Sequence, residues 1–344
     1  MTEKTMTMLI EQAIAGIDVG GQLYFAFQGG EPTLCGREFY ERFVAYVQEV
    51  SYSKRCTVTY ALQTNGLLLD DAFCQFLAKE NFLIGLSLDG TAEVNDCNRI
   101  DRYGKGTFNR IIKTTQRLRK FGVEFNILSV VTKRHLKHAE GLYKFYERQK
   151  FTHVQLIPCI ASFDVTDNAD IPQPHEYGQF LCRMFELWLR GWERGKPISI
   201  REFDNFSSMA MYQQEPELCS MRGACSVSPV VEADGSIYPC DFYVLDQWRL
   251  GNIYDSSLQE LLINDIAKKF IKRSQQLPSD CESCQWSHWC RGGCRRMWEP
   301  WTEKNPSAPK WCAAQKIFIP FALAQMPRLK RAILQYERVA PVNI

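Results

Sequence analysis

The sequence predicts an α/β architecture of repeated βα units followed by a smaller cysteine-rich domain. Five short β-rich runs alternate with segments of helical period between residues 22 and 158. Eight of the fourteen cysteines fall after residue 218. A chain of 344 residues that is 45% hydrophobic and 12% aromatic has enough apolar material for two cores.

The chain opens on a helix, because Met6, Leu9, Ile10 and Ile14 recur on one face with no strand before them. The β-rich runs are QLYFAF (22–27), TVTYAL (57–62), FLIGLSL (82–88), EFNILSVVT (124–132) and HVQLIP (153–158). Between the first two, Phe39, Phe43, Val44 and Val47 form an apolar helix face; before the fourth, Phe108, Ile111, Ile112, Leu118 and Phe121 form another. Thr107 is placed to cap that second helix and Gly122 to end it. A long helix over 174–194 carries Phe180, Leu181, Met184, Phe185 and Trp188. Composition then turns toward cysteine and turn residues, which places a boundary near 212: a βα domain over 1–212 and a cysteine-rich domain over 213–344. Strands each followed by a helix fit an open doubly wound sheet or part of a (β/α) barrel, and in both the function sits at the strand C-termini.

A net charge of +2, from 41 basic and 39 acidic residues, gives no electrostatic reason to expect nucleic acid or an anionic membrane surface as partner. The opening residues lack the basic start and apolar core of a secretory signal, and no uncharged apolar run reaches the roughly 18 residues of a membrane span. A cytoplasmic location is therefore expected, where short-spaced cysteines are metal or cluster ligands rather than disulfides. Cys219, Cys225 and Cys240 read C-x5-C-x14-C, and Cys281, Cys284, Cys290, Cys294 and Cys312 read C-x2-C-x5-C-x3-C-x17-C. Eight thiolates suffice for two four-cysteine sites, and two zinc sites are the alternative to two iron–sulfur clusters. The other cysteines, Cys35, Cys56, Cys74, Cys97, Cys159 and Cys182, are scattered as buried thiols would be. His288 sits within CQWSHWC but is not needed to complete either site.

The first strand exits into Gln28-Gly29-Gly30-Glu31-Pro32, where glycines admit a ligand to the backbone and Glu31 is suited to an ammonium group. Gln63-Thr64-Asn65-Gly66 ends the second strand, and Ser87-Leu88-Asp89-Gly90 ends the third with Arg99 shortly after. Guanidinium plus hydroxyl, from Arg99 and Ser87, would satisfy a carboxylate.

These exits, together with DGSIYPCDFYVLD (234–246), LGNI (250–253) and the C-terminal cysteine run, resemble the radical S-adenosylmethionine (SAM) superfamily with a SPASM domain, and within it the anaerobic sulfatase-maturating enzymes. The resemblance implies a partial (β/α)6 barrel lacking its first strand, followed by a SPASM domain with two auxiliary [4Fe-4S] clusters. It implies that Gly29, Gly30 and Glu31 hold the SAM amino group, that Ser87 and Arg99 hold its carboxylate, and that Gln28 reaches the same cavity. It assigns Cys219, Cys225, Cys240 and Cys294 to one cluster and Cys281, Cys284, Cys290 and Cys312 to the other. Asp241 would take a proton from a peptidyl Cys or Ser of a sulfatase as the adjacent carbon is oxidised toward Cα-formylglycine. A reductant such as flavodoxin or ferredoxin is implied as a second partner. The CxxxCxxC loop that holds the family's SAM-cleaving [4Fe-4S] cluster does not occur in the sequence. The opening helix resembles the one that follows that loop, so the reading is of an N-terminally truncated member, unable to cleave SAM as it stands, with a sheet edge exposed at 22–27. Another SPASM peptide maturase and a non-catalytic electron-transfer or peptide-binding protein are the alternatives.

Overall fold

The computed structural model describes residues 1–163, 169–299 and 309–339. Its larger sheet has six strands in the order of the chain, β1 (Gln22–Phe27), β2 (Thr57–Thr64), β3 (Leu83–Ser87), β4 (Phe125–Val131), β5 (His153–Pro158) and β6 (Ser199–Ile200). β1 pairs with β2, β4 with β5 and β5 with β6 in parallel, with Gln22 opposite Thr57, Ile127 opposite Val154 and His153 opposite Ser199. Helices intervene as the periodicity requires: α1 (Glu3–Ala15), α2 (Arg37–Ser51), α3 (Asp71–Lys79), α4 (Ala92–Asn98), α5 (Phe108–Lys120), α6 (Ala139–Gln149), α7 (Pro174–Glu193) and α8 (Arg201–Tyr212). The C-terminal part holds a three-stranded antiparallel sheet of β7 (Val230–Val231), β8 (Ser236–Tyr238) and β9 (Gly251–Asn252). It continues through α9 (Leu258–Leu262), α10 (Asp265–Ser274), α11 (Ser279–Glu282), α12 (Ser287–Cys290) and α13 (Cys312–Val339).

The five expected strands and the opening helix are all present, and β1 lies at one end of the sheet with Gln22, Tyr24 and Ala26 exposed. Two local details differ from the sequence reading. The sixth strand was not foreseen. Thr107 precedes α5, but its hydroxyl donates to the Arg99 carbonyl, and the first helical amide, Phe108 N–H, donates to Asp96 instead. Gly122, at φ 70°, ends α5, with Val123 N–H returning to the Leu118 carbonyl at 2.9 Å as in a Schellman turn.

The shortness of β6 has a local cause. After the pairing of Val154 with Ile200, the chain turns into α8, and the next β5 amide on that edge, Leu156 N–H, donates to the Glu202 carboxylate at 3.0 Å. Burial pushes the Glu202 carboxyl up to about 7 and that of Asp204, which accepts from Ser199 Oγ, up to about 6. A raised folded-state value favours folding at low pH, so this contribution is lost as pH rises from about 4.5 through about 7 for Glu202. Glu202→Gln keeps an acceptor for Leu156. It is expected to flatten the fall in melting temperature between about pH 4.5 and 7, an effect on the order of 1–3 kcal/mol. Identical pH slopes for variant and wild type, measured by thermal melts, would refute this.

The chain packs as two compact units that do not follow a single cut along the sequence. One comprises 1–85, 113–124 and 224–276; the other comprises 86–112, 125–223 and 277–344. In the first, α1 docks on the C-terminal segment: Leu9 and Ala13 share a core with Ile237, Leu250, Ile253, Leu258, Leu261 and Ala267. Gln12 fastens it, its amide donating to the Ile253 carbonyl at 2.9 Å and its oxygen accepting from Leu258 N–H at 2.7 Å. In the second unit, α7 lies along α13, and Arg328 joins Glu186 and Glu193 of α7. No helix among the described residues is long and apolar enough to cross a membrane.

Candidate active site and cluster ligands

At the exit of β1, Gln28 is exposed, and Gly29 and Gly30 adopt φ 91° and 52°, the left-handed region that glycine enters without cost. Glu31 follows, but it does not stand free. Its Oε1 accepts from Thr33 N–H, Thr33 Oγ and Thr64 Oγ, and its Oε2 accepts Asn65 N–H at 2.8 Å. The carboxylate therefore ties the β1 exit to the Thr64-Asn65-Gly66 exit of β2. Four acceptor positions exist on a carboxylate, about two per oxygen, and Oε2 retains one for a further donor such as an ammonium.

In the other unit, Ser87 ends β3 half-buried, and Arg99 ends α4. Arg99 is already gripped by Asp89, with Nε to Oδ2 at 2.7 Å and Nη2 to Oδ1 at 2.9 Å. Asp89 is only 4% exposed and also accepts Val130 N–H at 2.8 Å. His135 Nε2 bonds the Asp89 carbonyl at 2.7 Å, while Thr132 N–H donates to Nδ1 at 3.0 Å. An Nδ1 that accepts an amide proton places the imidazole proton on Nε2, and burial holds the ring below its ordinary value, hence neutral. Sequence reasoning singled out Arg99 and Ser87 but missed Asp89, Thr64 and Asn65 as the groups that hold the exits together.

The structure brings four of the eight cysteines to one place. Cys281 on α11, Cys284, Cys290 at the end of α12 and Cys312 at the start of α13 line a single cavity walled by Leu277, Trp286 and Pro309. Burial, then the neighbouring Cys290, Cys312 and Cys284, pushes the Cys281 thiol up to about 11, and burial raises Cys290 as well. Cys281 and Cys290, crowded with Cys284 and Cys312 in an apolar cavity, resist ionisation unless cations are supplied among them, and four thiols so gathered are the donor set an iron–sulfur cluster fits. Among the described residues no three His, Cys, Asp or Glu side chains are placed to hold a single metal ion. A zinc site would need the four sulfurs drawn to one point.

Of the other set, Cys225 and Cys240 each pack against the cluster of Tyr243, Trp248 and Phe270. Cys219 starts an exposed 3₁₀ turn and Cys294 precedes the turn Arg295–Trp298. Asp241 is exposed, opens the 3₁₀ turn Asp241–Tyr243, and accepts Phe242 N–H at 3.0 Å through Oδ1. Cys240 Sγ lies 3.2 Å from the same oxygen. His288 is exposed, edge-on to Trp289 at 5.0 Å. Cys74 is buried and Cys56, Cys159 and Cys182 are half-buried, but Cys35 and Cys97 are exposed, contrary to the expectation of buried thiols. Cys35 closes the turn after Glu31, and Cys97 lies on the outer side of α4 with its thiol on the Glu93 carbonyl.

Family models match the radical SAM superfamily over residues 1–146 and the iron–sulfur cluster-binding SPASM domain over 203–285. The chain is 39% identical over 296 residues to the cysteine-type anaerobic sulfatase-maturating enzyme of Clostridium novyi, covering 86% of this chain and 79% of that protein. This chain belongs to the anaerobic sulfatase-maturating enzyme family. A second cysteine-type member of the family, from Clostridium perfringens, is 36% identical over 331 residues, covering 96% of this chain and 88% of the relative. A serine-type member of the maturating-enzyme family, from Bacteroides thetaiotaomicron, is 28% identical over 341 residues, covering 94% and 81%. The solved structure of native anSMEcpe with bound AdoMet and Cp18Cys peptide superposes with a TM-score of 0.91 at 34% identity, covering 97% of this chain and 92% of that one. As a maturase-family protein with a SPASM domain, the chain carries an iron–sulfur cluster-binding domain in its C-terminal part.

Anaerobic reconstitution is expected to load about eight irons with equal sulfide, as two fully cysteine-ligated [4Fe-4S] clusters require, and Cys284→Ser to remove about half. Two zincs per chain, without sulfide or charge-transfer absorption, would sink the cluster assignment.

Proposed function

We propose that this chain holds SAM across its strand exits and presents a peptidyl cysteine of a sulfatase for oxidation to Cα-formylglycine. The observation that carries this is the likeness, over almost the whole chain, to a structure solved with AdoMet and a peptide bound, alongside higher identity to cysteine-type than to serine-type relatives. Gly29, Gly30 and Glu31, with Gln28 beside them, hold the SAM amino group, and Ser87 and Arg99 hold its carboxylate. Cys281, Cys284, Cys290 and Cys312 ligate one auxiliary cluster; Cys219, Cys225, Cys240 and Cys294 ligate the other. The SPASM part begins near residue 213. When bound, SAM and the family's reducing cluster supply a radical that removes a hydrogen from the substrate carbon.

The chain's own contribution follows from that. Asp241 accepts the thiol proton, which turns the substrate carbon radical into a far stronger electron donor. The exposed position of the carboxylate leaves it open to a peptide, and an adjacent fully ligated cluster suits receipt of the electron because no iron site is left for substrate. A reductant of the flavodoxin or ferredoxin class would supply the electron that starts the reaction, the electron released by the substrate radical balances it, and water then replaces the sulfur of the resulting thioaldehyde, which leaves as hydrogen sulfide.

The sequence contains no CxxxCxxC, so the 344-residue polypeptide is expected not to cleave SAM reductively to 5'-deoxyadenosine. A polypeptide that joins such a loop ahead of residue 1 is expected to cleave SAM and to convert a cysteine-containing sulfatase peptide to the aldehyde, detected by hydrazide labelling and mass spectrometry. Thioether or carbon–carbon crosslinked product in place of aldehyde would favour a different SPASM maturase. Cleavage by the unextended chain would overturn the argument from the missing loop.

A further inference from the structure

Arg99 and Asp89 form a pair with one dry end and one wet end. The Asp89 side chain is 6% exposed and that of Arg99 is 23% exposed. Asp89 is fixed on every side: Val130 N–H and the arginine occupy its carboxylate, its own N–H donates to Asn95 Oδ1 at 3.2 Å, and its carbonyl takes the His135 ring. His135 is in turn 1% exposed and locked by Thr132. The two bonds to Asp89 engage Nε and Nη2, and among the described residues Nη1 has no protein partner. A buried carboxylate is a costly way to gain stability, because desolvation offsets much of the attraction. Its distinctive effect is geometric, since a fork-to-fork contact fixes the plane and direction of the guanidinium.

We infer that Asp89 is a positioning residue, holding one edge of the Arg99 guanidinium so that Nη1 is presented in a set orientation to the carboxylate of SAM. The inference rests on the reading above, in which Arg99 receives that carboxylate. Two effects of Asp89 oppose each other. Its negative charge reduces the pull of Arg99 on an anionic ligand, whereas its grip removes the rotamer freedom that binding would otherwise have to quench. Buried, bidentate geometry makes orientation the larger of the two, so neutralising Asp89 weakens SAM binding even though it makes the site more positive.

The test compares SAM with decarboxylated SAM, which lacks only the group in question, by equilibrium dialysis against the full chain, its Asp89→Asn variant and its Arg99→Lys variant. Wild type is expected to favour SAM by about tenfold or more, a difference of about 1.4 kcal/mol per factor of ten. Asp89→Asn is expected to erase that preference by weakening SAM alone, and Arg99→Lys to do the same with no further loss in the double variant. If Asp89→Asn keeps the preference, or tightens SAM, Asp89 does not position Arg99 and the inference falls while the carboxylate reading stands. Loss of both ligands together would make Asp89 a residue of the fold, which also overturns it. No preference in wild type would overturn the carboxylate reading itself.

Discussion

Asp241→Asn, placed in a polypeptide that joins a CxxxCxxC loop to this chain, is expected to lower formylglycine yield by about 10²–10⁴ while SAM cleavage continues. The amide keeps the shape of the side chain, and its oxygen still accepts the Phe242 amide that shapes the 3₁₀ turn. It cannot take a proton at neutral pH. Hydrogen abstraction from the substrate carbon therefore proceeds, but the carbon radical stays protonated at sulfur and passes its electron on poorly. The measurement is the ratio of 5'-deoxyadenosine to aldehyde, which should rise steeply. Peptide affinity should change little. A normal aldehyde rate would reduce Asp241 to a turn residue and send the search for the base elsewhere. The contact between Cys240 Sγ and the Asp241 carboxylate makes iron content the necessary companion measurement.

Gly178→Leu is expected to cost about half of the iron, through a residue that touches no sulfur. A Cβ at Gly178 would stand 2.9 Å from the Cα and the carbonyl oxygen of Ala314 and 3.1 Å from Ile317 Cβ. Backbone atoms cannot swing aside as a side-chain tip can, so the start of α13 must move, and Cys312 is the residue that begins that helix. Overpacking of this kind costs about 1–3 kcal/mol by itself. Displacing one of four thiolates adds loss of the cluster, because the other three, on α11, α12 and the turn between, cannot follow. Tyr177 and Trp311, with ring centroids 4.8 Å apart, press the same crossing from the side. Iron and sulfide analysis, with circular dichroism to confirm retained helix, decides the matter. Full iron content in a folded Gly178→Leu protein would mean that the crossing does not set the position of Cys312.

Much of this arrangement was readable from the sequence. Period-two and period-3.6 patterns located β1, β5 and α7 almost to the residue, because each turns one apolar face inward, half-buried in β1 and buried in β5 and α7. The two-residue β6 left no such pattern, and its continuation is a side chain, Glu202, rather than a strand. The cysteine spacing marked the C-terminal part as ligand-bearing, but the grouping of Cys281, Cys284, Cys290 and Cys312 came from the family resemblance; these four line one cavity, from adjacent short turns and the start of α13. The partners of the site residues were invisible for a different reason. Thr64 meets Glu31 from 33 positions away and Val130 meets Asp89 from 41, because parallel pairing aligns strand exits that the chain separates by a whole βα unit. Cys35 and Cys97 were misjudged because a scattered cysteine has no spacing to interpret, and a default for the residue type took the place of an argument.

The seating of α1 has a consequence for the order in which the molecule can be made. Gln12 and the Ile253 carbonyl it holds are 241 residues apart, and the apolar stripe of Leu9 and Ala13 has its partners in the same distant segment. At about 5–20 residues per second of synthesis, α1 waits on the order of 10–50 s for the surface it belongs to. Until then it is a short amphipathic segment below the length that holds helix alone, with its greasy side facing water. Chaperone capture of the nascent chain, and poor recovery when it is overproduced faster than that capture, are what such a late reunion entails, however stable the finished protein proves to be.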